Sequence, residues 1–158
     1  MIYIEKYIKK DSEQLGDFFK ICFNVLGWEY EPESRHKDII DIEQIYMKKG
    51  CFWCMKNDEK IIGTIAIKML ENNVAELKRL YILPTFQGNG YSKLLMNIAV
   101  EFVKSKDLET IRLDCQRNKT AALNLYKNYG FVEIKRYNQN EYAEVFMELN
   151  FYDPRKDV

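Results

Sequence analysis

The chain has 158 residues, 47% of them hydrophobic and 14% aromatic, which is enough to bury one substantial core and too little for two. Its 24 basic and 24 acidic residues give a formal net charge of zero, which disfavours a nucleic acid or an anionic membrane surface as a partner. The charged start Met1–Lys6, and the lack of any window near the roughly 20 apolar residues of a membrane span, predict a cytoplasmic protein with one domain over residues 1–158.

The first half of the chain predicts a strand, two helices and a meander of three strands. Apolar residues alternate in the strands and recur at helical spacing in the helices. Asp11 or Ser12 can cap the first helix, and Gly50 ends the second. The predicted segments are a strand over Ile2–Lys6, a helix that ends near Leu26-Gly27, a helical pattern from Ile39 to Tyr46, and strands over Cys51–Met55, Ile61–Met69 and Val74–Leu83.

The second half predicts two helices and three strands. An apolar stripe of period near 3.6 over Leu94–Val103 indicates a helix, so the strand at Thr110–Cys115 is expected to run parallel to Val74–Leu83. The remaining segments are a helix through Ala121–Tyr126 that ends at Tyr129-Gly130, and strands over Phe131–Tyr137 and Ala143–Leu149. The order predicts an α/β (α+β) fold, with a mixed, mostly antiparallel central sheet of about seven strands and about four helices.

Four cysteines and a single His36 suggest metal or redox chemistry at first sight. Cys51 and Cys54 lie in a strand pattern, so their thiols point to opposite faces and cannot share a zinc ion. A thioredoxin-like pair would open a helix instead. The pattern predicts buried, reduced thiols and no metal site for Cys22, Cys51, Cys54 and Cys115.

The segment Gln87-Gly88-Asn89-Gly90-Tyr91-Ser92 lies between a β-rich apolar run and the long helical pattern. A strand that breaks at glycines and restarts as a helix leaves several backbone N–H groups unpaired. Such groups at the positive end of a helix bind phosphate oxygens, and Gly88 and Gly90 lack the β-carbons that would keep a phosphate away. The segment is therefore predicted to bind a diphosphate.

These glycines do not predict a dinucleotide-binding fold or a kinase-type loop. The dinucleotide fingerprint needs a third glycine and an early parallel unit, whereas Gln87 follows three antiparallel strands. A Walker loop needs a Gly-Lys-Ser/Thr ending, which is absent. Nucleotide redox chemistry and phosphoryl transfer are disfavoured.

The glycine loop is part of a longer pattern. The strand Glu76–Pro84 followed by Gln87–Ser92 matches a strand and a Gln/Arg-x-x-Gly-x-Gly/Ala loop of one known family. The likeness continues at Asp114, Ala122, Leu125-Tyr126, Tyr129-Gly130-Phe131 and Phe146–Leu149. Over about residues 60–149 the chain resembles the GCN5-related N-acetyltransferase (GNAT) family, and before residue 50 only the order of elements matches.

The resemblance implies an acetyl-CoA-dependent N-acetyltransferase that moves the acetyl group directly to a primary amine of a small molecule or peptide, without a metal. It implies that the pantetheine arm pairs with the backbone of Leu80-Tyr81-Ile82 as an extra strand would, because the neighbouring parallel strand splays away. A backbone N–H of this strand would face the thioester carbonyl. The cofactor-binding residues implied are Leu80, Tyr81, Ile82, Gln87, Gly88, Asn89, Gly90, Tyr91, Ser92, Lys93 and Asn118.

Tyr126 is the residue to which the resemblance most directly assigns a catalytic role, next to the coenzyme sulfur. A hydroxyl with an ordinary pKa of about 10 can donate a hydrogen bond to a departing thiolate of pKa near 8.5, although full proton transfer is mildly uphill. The alternative is an aromatic side chain that only anchors the last helix in the core.

Glu76 aligns with the general base of family members that acetylate histones. An alkylammonium with a pKa near 10.4 must lose a proton before it attacks, and a glutamate with an ordinary pKa near 4.3 is a weak base. Burial or a water relay is then needed. The alternatives are that Glu76 holds an ammonium group or pairs with Lys78 or Arg79.

Two positions depart from the family pattern. Ser92 stands where Gly or Ala is expected, and its hydroxyl can bond a phosphate oxygen or crowd it. Lys119 stands where many relatives have a coenzyme-binding Asn, while Asn118, one residue earlier, can instead cap the fourth helix. We expect Lys119 to be solvated in preference to reaching a phosphate.

The acceptor is expected at the two N-terminal helices, their loop Trp28–Arg35 and the last hairpin around Tyr137–Tyr142, none of which carries a known motif. Aromatic and acidic residues in the loop suit an amine-bearing ligand, and they suit a solvated loop equally. A catalytically silent acetyl-CoA sensor or interaction module is the alternative function, because fold does not establish activity. A monomer or homodimer is expected.

Overall fold

The computed structural model describes residues 1–151, and residues 152–158 of the predicted single domain lie outside the described part. Over the described residues it has seven strands and four α-helices. The strands are β1 (Ile2–Lys6), β2 (Cys51–Asn57), β3 (Lys60–Met69), β4 (Val74–Ile82), β5 (Thr110–Cys115), β6 (Val132–Ile134) and β7 (Val145–Asn150). The helices are α1 (Ser12–Val25), α2 (Lys37–Ile40), α3 (Tyr91–Ser105) and α4 (Thr120–Tyr129).

The seven strands form one sheet in the order β1-β2-β3-β4-β5-β7-β6. β4 and β5 pair in parallel, with α3 crossing over between them, as the order of elements predicts. The other neighbouring pairs are antiparallel. The predicted mixed, mostly antiparallel sheet is confirmed.

Strand β2 shows how helices cover both faces of the sheet. Its neighbours Phe52 and Trp53 point to opposite faces because side chains alternate along a strand. Phe52 packs edge-on against Phe19 of α1, with ring centroids 6.5 Å apart. Trp53 packs edge-on against Phe102 of α3, with ring centroids 5.2 Å apart. Because both faces are covered, β2 and β3 are nearly continuous buried runs.

The predicted second helix is broken into two short pieces. α2 ends at Ile40, Asp41 leaves the helical conformation with φ −133° and ψ 43°, and one π-helical turn follows at Glu43–Met47. The break accompanies a tertiary contact, in which the Tyr46 hydroxyl donates a hydrogen bond of 2.5 Å to the Asp38 carboxylate. A regular helical period cannot anticipate such a break.

The last hairpin also differs from its prediction. The strand predicted over Phe131–Tyr137 ends at Ile134, and the strand predicted from Ala143 begins at Val145. Residues between them form irregular hydrogen bonds among themselves and also bond to distant strands, as where Tyr137 donates a hydrogen bond to a carboxylate on β4. Alternation within a segment does not reveal such contacts.

The predicted burial of the thiols is confirmed in part. All four cysteines are free; Cys22, Cys51 and Cys54 are buried, and Cys115 is half-buried. Burial raises the pKa of Cys22 to about 12 and that of Cys115 to about 11, so both stay protonated at neutral pH. Within residues 1–151, no three His, Cys, Asp or Glu side chains lie close enough to hold a metal ion. None of the helices in that range is long and apolar enough to cross a membrane.

Candidate active site

Strands β4 and β5 separate soon after they meet. Their ladder has three residue pairs, the last of them Glu76 opposite Arg112. Beyond Glu76, β4 continues to Ile82 with β3 as its neighbour, while β5 pairs with β7 on its other side. A cleft of about 1450 Å³ is lined by both strands, by α4 and by the start of α3. The divergence implied by the resemblance is present, and it leaves one edge of β4 open over residues 77–82.

A β-bulge bends β4 where it lines the cleft. Arg79 and Leu80 both lie opposite Ile65 of β3, and Arg79 has a left-handed φ of 57°. This conformation costs a non-glycine residue about 1–3 kcal/mol, so the surroundings must hold it. The Thr64 hydroxyl donates to the Arg79 carbonyl at 2.7 Å, and the Arg79 guanidinium donates two hydrogen bonds to Asp38, of 2.8 and 2.9 Å. Asp38 of α2 therefore helps to fix the backbone of the strand that lines the cleft.

Arg79 and Asp38 form a mostly buried ion pair, with side chains 12% and 17% exposed. Burial raises the pKa of the Asp38 carboxyl, but the hydrogen bonds and charge of Arg79 outweigh burial, and the pKa lies below its ordinary value. Of the two partners considered for Glu76, Arg79 is thus engaged elsewhere.

The turn from β4 into α3 presents consecutive backbone N–H groups. Gly88 and Gly90 have left-handed φ values of 82° and 77°, and a β-carbon on either would meet no atom within 4 Å. Among residues 1–151, no acceptor pairs with the backbone N–H of any residue from Gly88 to Lys93. These six donors lie at the positive end of a helix of 15 residues. The geometry suits an anion with several oxygens.

Side chains of this turn hold its shape from within. Gln87 donates from Nε2 to the Ile82 carbonyl at 3.1 Å, and Asn89 donates from Nδ2 to the Phe86 carbonyl at 3.0 Å. Their side-chain amides thus bond to carbonyl groups of the turn itself, and the backbone N–H groups are left for a ligand. Ser92 is half-buried and Lys93 is exposed, both in the first turn of α3.

Tyr126 lies on α4 with 7% of its surface exposed, and it lines the cleft. Its ring packs on Phe131 with centroids 5.8 Å apart, while no side chain or backbone group of residues 1–151 bonds its hydroxyl. Burial, and then the neighbouring Cys115 and Tyr81, raise the pKa of Tyr126 well above its ordinary value. The hydroxyl therefore keeps its proton and can act as a hydrogen-bond donor. The anchoring role and the donor role are compatible.

Glu76 is 4% exposed and lies where β4 and β5 part. The Tyr137 hydroxyl donates to its Oε2 at 2.6 Å, and Lys78 Nζ lies 3.7 Å from its Oε1. Burial, and then the charge and hydrogen bond of Glu76, raise the pKa of Tyr137 above its ordinary value, so the phenol remains a donor. The pairing with Lys78 considered from sequence is present.

Asp114, near the end of β5, fixes the segment between β6 and β7. Its Oδ2 accepts from Asn138 Nδ2 at 2.6 Å, and its Oδ1 accepts from Asn140 Nδ2 at 3.3 Å. The same Asn138 amide lies 3.4 Å from Glu76 Oε2 and bridges two carboxylates. The segment that carries Tyr137 is therefore held against Glu76 from two sides.

Two sequence predictions at the start of α4 are wrong. Asn118 is exposed and does not cap α4; Lys119 occupies the cap position, and no side chain bonds there. Lys119 is half-buried, with Nζ 5.3 Å from the centroid of the Trp28 ring, so it is not simply solvated. Both Asn118 and Lys119 line the cleft, and contact of Asn118 with a coenzyme stays a prediction.

The loop between α1 and α2 is ordered by ring packing. Tyr30 packs on Phe23 and on His36, with ring centroids 6.1 and 5.8 Å apart. Burial lowers the pKa of His36 to about 4, and its Nδ1 accepts a hydrogen bond of 2.9 Å from the Glu31 N–H. The glutamates of the loop are exposed and do not line the cleft, which argues against acids of this loop holding an amine: Glu29, Glu31 and Glu33.

Four residues at the cleft were not singled out from sequence: Arg35, Asp38, Tyr137 and Asn138. Each acts through a contact with a segment far away in the chain, and none belongs to a periodic pattern. The positions of Asp38 and Arg79 in the sequence give no indication that the two side chains form a pair. The segments expected to bind the acceptor include Arg35, Tyr137 and Asn138, but no signal in one sequence would have singled out these residues individually.

A sequence model of the acetyltransferase (GNAT) family matches residues 14–131, which is more than half of the chain. The chain belongs to the GNAT acetyltransferase family. The matched range runs from α1 to Phe131 and contains β4, the glycine turn and Tyr126. The resemblance seen in residues 60–149 is thereby confirmed and extended toward the N-terminus.

Curated proteins similar to this GNAT chain differ in name and length. N-acetylaspartate synthetase of Xenopus tropicalis is 35% identical over 100 residues, which cover 61% of this chain and 37% of that protein. Streptothricin acetyltransferase of Escherichia coli is 31% identical over 118 residues, which cover 73% of this chain and 67% of that protein. The chain spans little more than a third of the length of the first relative.

Solved GNAT structures share the whole fold. An acetyltransferase of the GNAT family from Staphylococcus aureus Mu50 superposes with a TM-score of 0.88 at 25% identity, covering 96% of this chain and 100% of that one. A PaiA N-acetyltransferase from Thermoplasma acidophilum, solved in complex with coenzyme A, superposes with a TM-score of 0.69 at 24% identity, covering 96% of this chain and 99% of that one.

Proposed function

We propose that this protein transfers the acetyl group of acetyl-CoA to a primary amine of a small molecule or peptide. The observation that carries the proposal is the row of six backbone N–H groups from Gly88 to Lys93, without acceptors among residues 1–151, beside the open edge of β4. A diphosphate and an amide-bearing arm are the two ligand features that such a row and such an edge accept. Coenzyme A carries both.

The residues present fit this coenzyme. The open space in front of Gly88 and Gly90 leaves room for phosphate oxygens at the N–H groups. Residues 77–82 offer backbone donors and acceptors to the pantetheine amides, and Leu80-Tyr81-Ile82 lie at the bulge and beyond it. Acetyl-CoA supplies an activated acetyl group as a thioester, and a backbone N–H of β4 would donate a hydrogen bond to its carbonyl oxygen.

Glu76 is the residue we assign to the proton that an ammonium acceptor must lose. It is buried, it lines the cleft, and its two oxygens are oriented by Tyr137 and Lys78. A carboxylate in such a position takes the proton directly or through one water. Tyr137 then acts as a positioning residue, because its phenol fixes Oε2.

Tyr126 is assigned to the departing sulfur. Its hydroxyl stays protonated and lacks an acceptor within the described chain, so a developing thiolate can take that hydrogen bond. Since transfer of the phenol proton to a thiolate is uphill by the ordinary pKa values of about 10 and 8.5, the hydroxyl mainly donates a hydrogen bond. The departing thiolate then takes its proton from solvent.

The relatives support acetyl transfer and leave the acceptor open. The names N-acetylaspartate synthetase and streptothricin acetyltransferase denote two unrelated acceptors. The proposal for this chain therefore extends to acetyl transfer to an amine, and the acceptor class rests on the geometry of this cleft.

Two measurements test the proposal. Acetyl-CoA at 100 times its Kd should stabilise the folded protein by about 2.7 kcal/mol, read as a raised melting temperature. A panel of amines should then include at least one that releases free coenzyme thiol, and Glu76→Gln should lower its kcat about 100-fold or more without changing the Kd for acetyl-CoA. No stabilisation by acetyl-CoA would refute the proposal. Stabilisation without thiol release from any amine would favour the silent sensor.

A further inference from the structure

Arg35 lies at the acceptor side of the cleft, clamped between two aromatic rings. Its guanidinium carbon is 4.6 Å from the centroid of Trp28, in the loop after α1, and 3.6 Å from the centroid of Tyr142, in the segment between β6 and β7. All three side chains line the cleft. The stack therefore joins the two chain segments expected to bind the acceptor and holds one guanidinium in place.

This guanidinium has no acid partner, although acids are close by in sequence. Within residues 1–151, no carboxylate lies within 4.0 Å of Arg35, and the three glutamates of its own loop are exposed to solvent instead. The other two arginines of the cleft are paired, Arg79 with Asp38 at 2.8 Å and Arg112 with Glu148 at 3.0 Å. Arg35 is thus an oriented cation whose charge is unmatched in the described chain.

Lys119 adds a second cation to the same ring. Its Nζ lies 5.3 Å from the Trp28 centroid, and no carboxylate of residues 1–151 pairs with it. Two like charges on one indole repel each other, and an anion between or beside them would relieve that repulsion. The arrangement is suited to a negatively charged ligand group.

The N–H groups of Arg35 are available to a ligand. Two aromatic rings lie close to the guanidinium carbon, and no hydrogen bond from its N–H groups to residues 1–151 is formed. The planar fork of N–H donors matches the two oxygens of a carboxylate. Because two rings already restrict the side chain, less rotational freedom remains to be lost when an anion binds.

The clamp is connected to Glu76. Tyr142 donates its backbone N–H to Asn140 Oδ1 at 3.1 Å, and Asn140 bonds Asp114, as does Asn138, which reaches Glu76. The segment between β6 and β7 therefore contacts both Arg35, through Tyr142, and the proposed base Glu76, through Tyr137 and Asn138. A ligand that carries an amine and a carboxylate can meet both.

We propose that Arg35, clamped by Trp28 and Tyr142 and supported by Lys119, binds the carboxylate of the acceptor, so that the acceptor class is small amines that bear a carboxylate, such as free amino acids. This inference rests on the proposed acetyl transfer and names its substrate class. Amines without an acid group, and peptide N-termini, are then poor acceptors.

The test uses pairs of ligands that differ only in the carboxylate. Thiol release is measured with the full chain at saturating acetyl-CoA for amino acids and for their C-terminal amides. We expect kcat/KM to favour the acid of the best pair by about tenfold or more, and Arg35→Gln to remove most of that ratio. Lys119→Gln should reduce the ratio less. Arg117→Gln is the matched control, because Arg117 pairs with Glu133 on the surface and does not line the cleft.

A binding measurement separates this inference from the proposed function. Calorimetry with N-acetylated amino acids and their amides, in the presence of coenzyme A, should show the same preference for the acid and its loss in Arg35→Gln. Equal affinity for acid and amide would overturn the inference even if amines are acetylated. A preference in binding without turnover of any amine would sustain the carboxylate site and refute acetyl transfer.

The coenzyme is the other source of anionic groups. If Arg35→Gln weakens the affinity for acetyl-CoA about tenfold, and more than it weakens the affinity for the dephosphorylated coenzyme, the cations bind a coenzyme phosphate and the inference is wrong. An unchanged Kd for acetyl-CoA is the expected result.

Discussion

The two ends of the cleft are built from different parts of the chain. At the proposed coenzyme end, backbone N–H groups of Gly88–Lys93 and the open edge of β4 line the cleft, and side chains such as Gln87 only support them. At the proposed acceptor end, side chains line the cleft, and Arg35 and Glu76 are held by residues from distant segments. A backbone-built site tolerates changes of side chain, whereas a site built from side chains can change its ligand by single substitutions.

The largest expected effect concerns the ion pair between Asp38 of α2 and Arg79 of β4. Asp38→Asn leaves Arg79 mostly buried without its counter-charge, so we expect a loss of about 3 kcal/mol in the free energy of unfolding at neutral pH. Chemical denaturation measures it. The exposed pair Arg117–Glu133 is the control, and Glu133→Gln should change stability far less. Equal losses in the two variants would show that Asp38 does not hold the bulge.

This pair also predicts a pH dependence. The pKa of Asp38 is lower in the folded chain than in the unfolded chain, so the unfolded chain binds the proton more tightly. The stabilisation is therefore complete above the unfolded pKa of about 3.9 and is lost as the pH falls through the lower folded pKa. Asp38→Asn should lack this component of acid denaturation, whereas Glu133→Gln should retain it.

Tyr126→Phe tests the proposed hydrogen bond from the Tyr126 hydroxyl to the departing thiolate. Removal of the hydroxyl should lower kcat between about 10-fold and 100-fold, because the departing thiolate loses its hydrogen bond, while the Kd for acetyl-CoA stays unchanged. Stopped-flow thiol release and equilibrium binding measure the two quantities. Tyr129→Phe is the control on the same helix, since its hydroxyl bonds Asn97 and the Lys93 carbonyl instead. A full kcat in Tyr126→Phe would leave Tyr126 as an anchor of α4 alone.

Gly90→Val tests whether the coenzyme end depends on the backbone. A β-branched residue is strained at φ 77° and puts its side chain into the open space in front of the turn, so we expect the Kd for acetyl-CoA to rise about tenfold. Gly27→Val is the matched control, because Gly27 has φ 76°, also has open space around it and lies outside the cleft. Both variants should lose stability, and Gly90→Val alone should lose affinity.

The smallest expected effect belongs to Tyr137. Tyr137→Phe removes one of the contacts that orient Glu76, while Asn138 and Lys78 remain, so kcat/KM for the amine should fall about fivefold, which corresponds to about 1 kcal/mol. Tyr7→Phe is the control, since the Tyr7 hydroxyl bonds Ser12 at 3.0 Å, away from the cleft. A fall in melting temperature without any change in kcat/KM would make Tyr137 purely structural.

The row of N–H groups could be predicted from sequence residue by residue, whereas for the proposed acceptor end the sequence indicated only the segments Trp28–Arg35 and Tyr137–Tyr142. Gly88 and Gly90 mark left-handed turns, and the apolar stripe after them marks the helix, so local physics alone indicated the row of N–H groups. The clamp of Trp28, Arg35 and Tyr142 joins residues that lie far apart in the chain, and it depends on how two loops meet. The acids of the loop left an amine-binding loop and a solvated loop equally open, and the glutamates beside Arg35 are exposed to solvent.

A hydrogen bond to a carboxylate on another element accompanies both the break in the second helix and the short β6. Period and propensity favoured a longer helix and a longer strand, but Tyr46 and Tyr137 each bond a carboxylate on another element. A tertiary hydrogen bond to a buried charge is worth about 1.5–3 kcal/mol. This exceeds the free energy that helix or strand propensity contributes for the few residues displaced. The segments that differ from the sequence predictions therefore lie at the proposed acceptor end of the cleft.

The early end of the β4–β5 ladder has a consequence for solubility. A strand with unpaired polar groups is usually a template for another chain, and strands at the rim of a sheet need charges or bulges to prevent aggregation. Here the unpaired stretch of β4 lies in the middle of the sheet, at the bottom of a cleft, and it is bent at Arg79. A foreign strand would have to enter the fold to add there, so the unpaired backbone groups of β4 do not offer another chain an edge to pair with.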